Sequence, residues 1–158
     1  MTSERSQRLR SRSGYSLIEL LTAVGIFGVL AAAGLPHVDM RRQDLNSSVR
    51  QVTADYRYAR TRAITGGVHF TLKWTGTQTY TVQKLKLSGT SWVLDKVVKT
   101  VTLPSTLTHS GTPDTIEFNT RGMMVSTTTV TWYDLTDSKF GGTRRIGVWP
   151  SGQADEYD

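Results

Sequence analysis

The stretch that decides the fold is YSLIELLTAVGIFGVLAAAGL, residues 15–35, which contains one acid, Glu19, and no basic side chain. As an α-helix this stretch would extend about 30 Å, enough to cross the hydrocarbon core of a bilayer. Residues 1–14 before it carry four arginines against one acid. Positive charge on that side predicts that the N-terminus stays in the cytoplasm and that the bulk of the chain lies across the membrane.

Glu19 is the one residue that departs from the apolar pattern. An acidic side chain costs up to about 2.5–3.5 kcal/mol near the centre of a spanning helix, and less near its end. No base between Tyr15 and Pro36 can neutralise it. Glu19 therefore calls for a partner from outside this segment.

The residues around the start of the apolar stretch, Gly14 to Leu21 (GYSLIELL), resemble the class III signal of type IV prepilins. The resemblance implies that a prepilin peptidase cleaves between Gly14 and Tyr15 and methylates the new α-amino group of Tyr15, although the usual first residue is Phe. It also implies that Glu19 pairs with the amine of a neighbouring subunit. Pro36 falls where pilins commonly carry a proline that loosens the helix.

Two simpler interpretations remain open. One is a secretory signal in which Ala31-Ala32-Ala33 precedes a cleavage site at Gly34, which would release a soluble periplasmic domain. The other is a single membrane anchor with a chance Glu19. Neither requires Gly14 and Glu19 at this spacing, or Pro36 beyond them.

A second helix is predicted after Pro36. Apolar residues recur at spacings of three and four and mark one buried stripe. The stripe consists of Leu45, Val49, Val52, Tyr56, Ala59 and Ala63. Gly66-Gly67 should end this helix, and the sequence predicts one long interrupted helix over residues 15–65.

The remaining chain is rich in β-branched residues, and alternating patterns predict strands separated by Gly and Pro. The predicted strands are Val68–Trp74, Thr79–Leu87, Trp92–Leu103, Thr115–Phe118, Thr128–Leu135 and Arg144–Trp149. A change of phase within the second strand predicts a bulge or bend near Lys84. The fold class is therefore α+β, with a long transmembrane and amphipathic N-terminal helix packed on an antiparallel sheet.

Three further segments resemble the GspH/FimT/FimU branch of the pilins and pseudopilins. They are residues 45–72 (LNSSVRQVTADYRYARTRAITGGVHFTL), which include the element Ala59-Arg60-Thr61-Arg62-Ala63, residues 118–122 (FNTRG) and residues 144–152 (RRIGVWPSG). The resemblance implies a minor subunit that primes or caps a type IV pilus-like filament in pilus biogenesis and twitching motility. Its alternatives are a minor pseudopilin of type II secretion and a DNA-binding minor pilin for DNA uptake.

The same resemblance divides the chain into four segments. They are a leader that is removed (1–14), a filament-core helix (15–36), its amphipathic continuation (37–65) and a β-rich domain (66–158). The implied partners are other pilins, prepilin peptidase, the inner membrane and its assembly platform. The domain after the membrane segment would be periplasmic before its incorporation into a filament.

Composition and motifs argue against catalysis. The chain has no cysteine, which excludes disulfides and thiolate metal sites. His37, His69 and His109 lie far apart, without a metal-ligand spacing, and His69 is expected to be solvated. The pair Asp155-Glu156 is expected in a frayed tail. We expect no enzyme activity, no cofactor and no metal.

DNA binding is the alternative with candidate residues, namely Arg121, Arg144, Arg145 and Trp149. Arginines can contact phosphates while aromatic rings stack on bases. The tail after Arg145 carries acids and no base, however, and would repel phosphate. The arginines of the second helix are either a solvated face or a contact for acidic neighbouring subunits or anionic headgroups.

Overall fold

In the computed structural model, the described residues are 16–34, 40–125, 127–139 and 141–157. They fall into two units, one with the first helix and one with the second helix and all strands. The predicted leader, Tyr15, Pro36 and His37 lie outside the described residues, as do the side chains of residues 28–34 and 40–42.

Helix α1 spans Leu17–Gly34. It begins where the carbonyl of Ser16 accepts hydrogen bonds from the amides of Glu19 (2.9 Å) and Leu20 (3.1 Å). Every described side chain from Leu17 to Phe27 is exposed. Within the described part of the chain, no helix satisfies the combined length and hydropathy required of a membrane span.

Helix α2 spans Met40–Gly66 and packs on both sheets of the second unit. All six residues of the predicted apolar stripe are buried, which confirms the stripe. The helix ends at Gly66, and Gly67 follows with a φ of 60°, as the glycine pair predicts.

Eight strands form two antiparallel four-stranded sheets. They are β1 (Phe70–Trp74), β2 (Thr79–Ser88), β3 (Ser91–Thr102), β4 (Leu107–Gly111), β5 (Thr115–Phe118), β6 (Thr131–Asp137), β7 (Thr143–Val148) and β8 (Ala154–Tyr157). The strand order is β3-β2-β1-β5 in sheet A and β4-β6-β7-β8 in sheet B. Six of these strands confirm the predicted ones within a few residues, whereas β4 and β8 were not predicted.

The predicted irregularity near Lys84 is confirmed. In the pairing of β2 with β3, the register shifts between Val82 and Gln83 and again between Lys84 and Leu85. The core that these strands share with α2 is centred on Tyr56, whose ring stacks on Tyr133 at 5.8 Å and whose hydroxyl accepts a 3.4 Å hydrogen bond from Trp74. Burial raises the pKa of Tyr56 well above its ordinary value.

Two expectations are wrong. Asp155 and Glu156 belong to β8 and not to a frayed tail, because their strand pairs with β7. His69 is buried, since its ring stacks on Trp92 at 3.8 Å and its Nδ1 lies 2.5 Å from Oε1 of Glu117.

Candidate functional site

The first candidate site is the N-terminal end of α1. Glu19 lies in the first turn, where a negative side chain interacts favourably with the helix dipole. Its side chain is exposed and has no salt-bridge partner among the residues described. Helix geometry therefore stabilises the charge locally but leaves its carboxylate available for a group from another chain.

The surface around Glu19 is apolar on all sides of the helix. Leu17, Ile18, Leu20 and Leu21 are all exposed, and with 3.6 residues per turn four such positions point in different directions. A helix that is apolar all round is normally covered by lipid or by other protein. The arrangement suits a helix that inserts into an apolar environment with one charge held at its end.

The second candidate site is the group of residues considered for DNA binding, and here Arg145 is already neutralised. Its Nε and Nη2 donate to the two carboxylate oxygens of Asp134, at 2.7 and 3.0 Å, across the β6–β7 pair. The hydrogen bond from Arg145 lowers the pKa of Asp134. The Arg145 guanidinium also lies 5.8 Å from the centre of the Trp132 ring.

Trp149 belongs to an aromatic cluster with Trp132 and Tyr157. Its ring centre lies 6.2 Å from that of Trp132 and 5.8 Å from that of Tyr157, while Trp132 and Tyr157 are 5.2 Å apart. Trp132 covers Gly147, where an added Cβ would approach the indole to 2.8 Å. The rings contact one another and the sheet, while Trp132 remains 42% exposed and Tyr157 40% exposed.

The other two candidate arginines lie elsewhere. Arg144 pairs with buried Leu135, so strand alternation places it on the opposite face of sheet B from Arg145, near Arg50 and Glu156. Arg121 is exposed in the turn after β5, where its amide donates to Oδ1 of Asn119. The structure therefore brings Arg145 and Trp149 near one ring cluster, but does not bring the four residues to one surface.

Two arginines of α2 have structural partners that sequence reasoning missed. Arg57 donates to the carbonyl of Ala154 (3.0 Å) and to Oδ1 of Asp155 (2.8 Å), which ties α2 to β8. Arg60 donates to the carbonyl of Gly122 at 3.2 Å. Part of the arginine-rich face therefore binds β8 and the turn after β5, and is not a free basic surface.

Glycines in the segments 118–122 and 144–152 explain why Arg60 can reach the carbonyl of Gly122. Gly122 and Gly152 have φ values of 74° and 78°, and an added Cβ on Gly152 would overlap the carbonyl oxygen of Gly122. The segments FNTRG and VWPSG thus form two turns that pack against each other beneath α2. A Gly at the end of each segment was the sequence signal for this contact.

Asp55 is a further residue that the sequence did not single out. It is buried on α2 and accepts hydrogen bonds from the hydroxyl of Tyr80 at 2.7 Å and from Nζ of Lys99 at 2.8 Å. Burial, then the hydrogen bond to Asp55, raises the pKa of Tyr80. This network fixes α2 to β2 and β3. Among the described residues, no group of three or more potential metal ligands occurs.

Comparison with known proteins agrees with this architecture. The family model of the Type II transport protein GspH matches residues 48–152, and the model of the prokaryotic N-terminal methylation motif matches residues 9–35. Because the first match covers more than half of the chain, the chain belongs to the GspH family. A search of curated protein sequences finds no significant match.

Solved structures show the same fold at low sequence identity. The crystal structure of the type IV minor pilin FimU of Pseudomonas aeruginosa matches with a TM-score of 0.61 and 16% identity, covering 75% of this chain and 91% of the chain in that structure. EpsH, a minor pseudopilin from the Type 2 Secretion System of Vibrio cholerae, matches with a TM-score of 0.55 and 15% identity, covering 72% and 96%.

The protein is therefore a type IV pilin-like minor pilin or pseudopilin, a structural subunit and not an enzyme. Proteins of this class assemble with other pilins in filaments. The methylation motif and the pilin fold together indicate a membrane-anchored pilin.

Proposed function

We propose that this chain is a minor pilin that primes or caps a type IV pilus-like filament, serving pilus biogenesis and twitching motility. The observation that carries the proposal is α1, an exposed apolar helix with a single carboxylate, Glu19, in its first turn. Such a helix needs a covering of lipid before assembly and of other helices after it.

In this proposal the newly synthesised chain first lies in the inner membrane, with its N-terminus in the cytoplasm and residues 66–158 in the periplasm. Prepilin peptidase hydrolyses the Gly14–Tyr15 peptide bond, which removes residues 1–14, and the new α-amino group of Tyr15 receives a methyl group. Residues 15–36 then form the filament-core helix, residues 37–65 continue it, and Pro36 is its flexible point. The assembly platform transfers the processed subunit into the filament.

Glu19 is the proposed assembly residue. A carboxylate of a subunit already in the filament attracts the cationic amine at Tyr15 of the incoming subunit. In a medium of low dielectric constant this attraction is much stronger than in water, and it would fix the axial register between subunits. The helix dipole offsets part of the cost of placing Glu19 in an apolar environment, and the amine of the partner subunit would offset the rest.

Processing is tested by the intact mass and N-terminal sequence of protein from native membranes. The proposal requires a chain that begins at Tyr15 and carries one additional methyl group. A chain that begins at Gly34 would instead identify an ordinary signal peptide and would remove the filament argument.

Assembly is tested by Glu19→Gln, which keeps the shape of the side chain but removes its charge, with Glu19→Asp as the control that keeps the charge. Both variants should be cleaved normally, and only Glu19→Gln should be missing from sheared filaments. Normal incorporation of Glu19→Gln would overturn the charge-pair mechanism.

A minor pseudopilin of type II secretion is the second candidate, favoured by the family to which the chain belongs. Deletion of the gene separates the two functions. Loss of surface pili and twitching supports the first, while retention of pili with loss of secreted enzymes supports the second. DNA uptake is less favoured, because Asp134 already accepts hydrogen bonds from two of the three guanidinium nitrogens of Arg145.

A further inference from the structure

An exposed apolar surface lies on sheet A, on the face opposite to the core. It comprises Leu87, Trp92, Leu94 and Val97, and we call it the outer patch. Leu87 is 59% exposed, Leu94 51% and Val97 46%. These residues lie on β2 and β3, the two longest strands of sheet A.

Pairing between β2 and β3 places these residues on one face. Leu87 pairs with Trp92, Leu85 with Leu94, and Gln83 with Val97. Alternate residues of β2 share a face, so their partners share it as well. Tyr80 and Val82, which are buried in the core, mark the other face.

Two bulges in β3 create this arrangement. Lys84 pairs with Lys96 while Leu85 pairs with Leu94, which leaves Asp95 as an extra residue, and a second shift leaves Val98 as another. Asp95 turns to the core side, where its carboxylate lies 3.1 Å from Nζ of Lys84 and 3.8 Å from Nζ of Lys86.

The bulges give residues 93–98 a symmetric pattern of faces. Val93 pairs with Lys86 on the core side, and Val98 packs against the core. Between them Asp95 and Lys96 also face the core side, while Leu94 and Val97 face outward. From Val93 to Val98 the side chains therefore face core, outer, core, core, outer and core. This order is the same in both directions from the bond between Asp95 and Lys96.

Strand β3 is also an edge of sheet A. One side of its backbone has no partner strand in the described part of the chain, and such an edge can pair with another strand. A symmetric dimer joins one surface to itself, so residue i contacts residue j and j contacts i. When an edge strand pairs antiparallel with a second copy of itself, each residue meets a residue from the other end of the same segment. The two residues of each such pair must therefore be complementary.

Residues 93–98 meet that condition. We propose that β3 pairs antiparallel with β3 of a second copy of this chain, with Asp95 opposite Lys96 of the partner copy. Leu94 then lies opposite Val97, and Val93 opposite Val98, with each pair on one face. Opposite charges meet at the centre, and apolar side chains flank them and extend the outer patch across both copies.

The charges specify the register. A shift of one residue in one direction places Asp95 opposite Asp95, and a shift in the other places Lys96 opposite Lys96. Like charges directly opposite each other are destabilising. The bulges bend the strand and confine the contact to a short segment, so the interface is small and the dimer is weak.

The absence of cysteine allows a direct test in the full chain in native membranes. Leu94→Cys and Val97→Cys are introduced in separate copies, which are expressed alone or together and oxidised. Directly opposite residues have Cα atoms about 4.5–5.5 Å apart, within the range for a disulfide. We expect covalent dimers in the mixture and none with either variant alone, because each cysteine faces the other position.

Two controls exclude crowding as the cause. Ser110→Cys, on the exposed edge strand β4 of sheet B, should not crosslink. Lys96→Asp should lower crosslinking in the mixture about tenfold, since two pairs between copies become repulsive while the new carboxylate lies opposite Lys84 of its own chain, and adding Asp95→Lys should restore it. Equal crosslinking by single and mixed cysteine variants, by Ser110→Cys, or with Lys96→Asp would overturn the proposal, as would failure of the charge exchange to restore it. None of these results depends on Glu19, or on whether the chain belongs to a type IV pilus or to a type II secretion system.

Discussion

His109 of β4 lies face to face with Trp74 of β1, with ring centres 3.7 Å apart and planes inclined by 5°. The contact joins sheet B to sheet A, and Tyr133 approaches the same imidazole at 5.3 Å. No hydrogen-bond partner for the buried Nε2 of His109 exists among the described residues. A charge on this ring would therefore be poorly solvated.

Stability should depend on pH through His109. Burial lowers the pKa of His109 from 6.5 to about 4, and the opposing effect of Asp114 is smaller. Between these values the unfolded chain binds a proton at His109 and the folded chain does not. The free energy of unfolding should therefore decrease as the pH falls through this window, by about 2 kcal/mol after allowance for partial solvation.

The measurement is urea unfolding of residues 40–158 between pH 7 and pH 4. His109→Phe keeps a planar ring on Trp74 but does not titrate, so the difference between the two proteins isolates His109 from the carboxylates. Parallel pH profiles for the two proteins would contradict this account.

Gly152→Ala should be strongly destabilising. The backbone there has a positive φ, and the added Cβ would overlap the carbonyl oxygen of Gly122, which cannot move as a side chain can. We expect a loss of about 3 kcal/mol or more. Gly141→Ala is the matched control, because its φ is 68° but no atom lies within 4 Å of the new Cβ. Its loss should be about 1 kcal/mol, and equal losses would argue against the packing of the two turns.

Much of the fold could be predicted because its signals are local. The apolar stripe of α2 follows from 3.6-residue periodicity, and the phase change in β2 revealed the bulges opposite Lys84. Strand β8 gave no such signal, since the sequence ADEY becomes a strand only through pairing with β7 and the hydrogen bonds from Arg57. The burial of His69 depends on Trp92, which lies on a different strand.

The candidate sites could likewise be predicted only where their sequence signals are local. Glu19 stands out because it is a lone acid in an apolar run, which requires no tertiary information. Whether Arg145 is a free cation depends on the register that places Asp134 opposite it, and register was not available from the sequence. The assignments of Tyr15, Glu19 and Pro36 remain predictions.

Arg57→Ala should loosen β8 while leaving most of the fold intact. The variant loses the hydrogen bonds to Ala154 and Asp155, but the side chain of Arg57 is largely exposed, so we expect a global loss of only about 1 kcal/mol or less. Hydrogen exchange at residues 154–157 should accelerate several-fold more than elsewhere. Arg62→Ala, which removes a cation over the ring of Tyr58, is the control and should not affect β8. Uniform acceleration along the chain would contradict a local clamp.

Purified residues 40–158 should not bind duplex DNA in a salt-sensitive manner. The guanidinium of Arg145 is held by both carboxylate oxygens of Asp134, and Arg144 points to the other face of the sheet, close to Glu156. A gel-shift assay at low salt tests this, because phosphate contacts strengthen as salt is reduced. Asp134→Asn provides the sharper comparison, since it releases Arg145 without removing it. A shift in the wild-type protein that is lost in Arg144→Ala/Arg145→Ala would establish DNA binding despite the ion pair. A shift only in Asp134→Asn would show that Asp134 suppresses it.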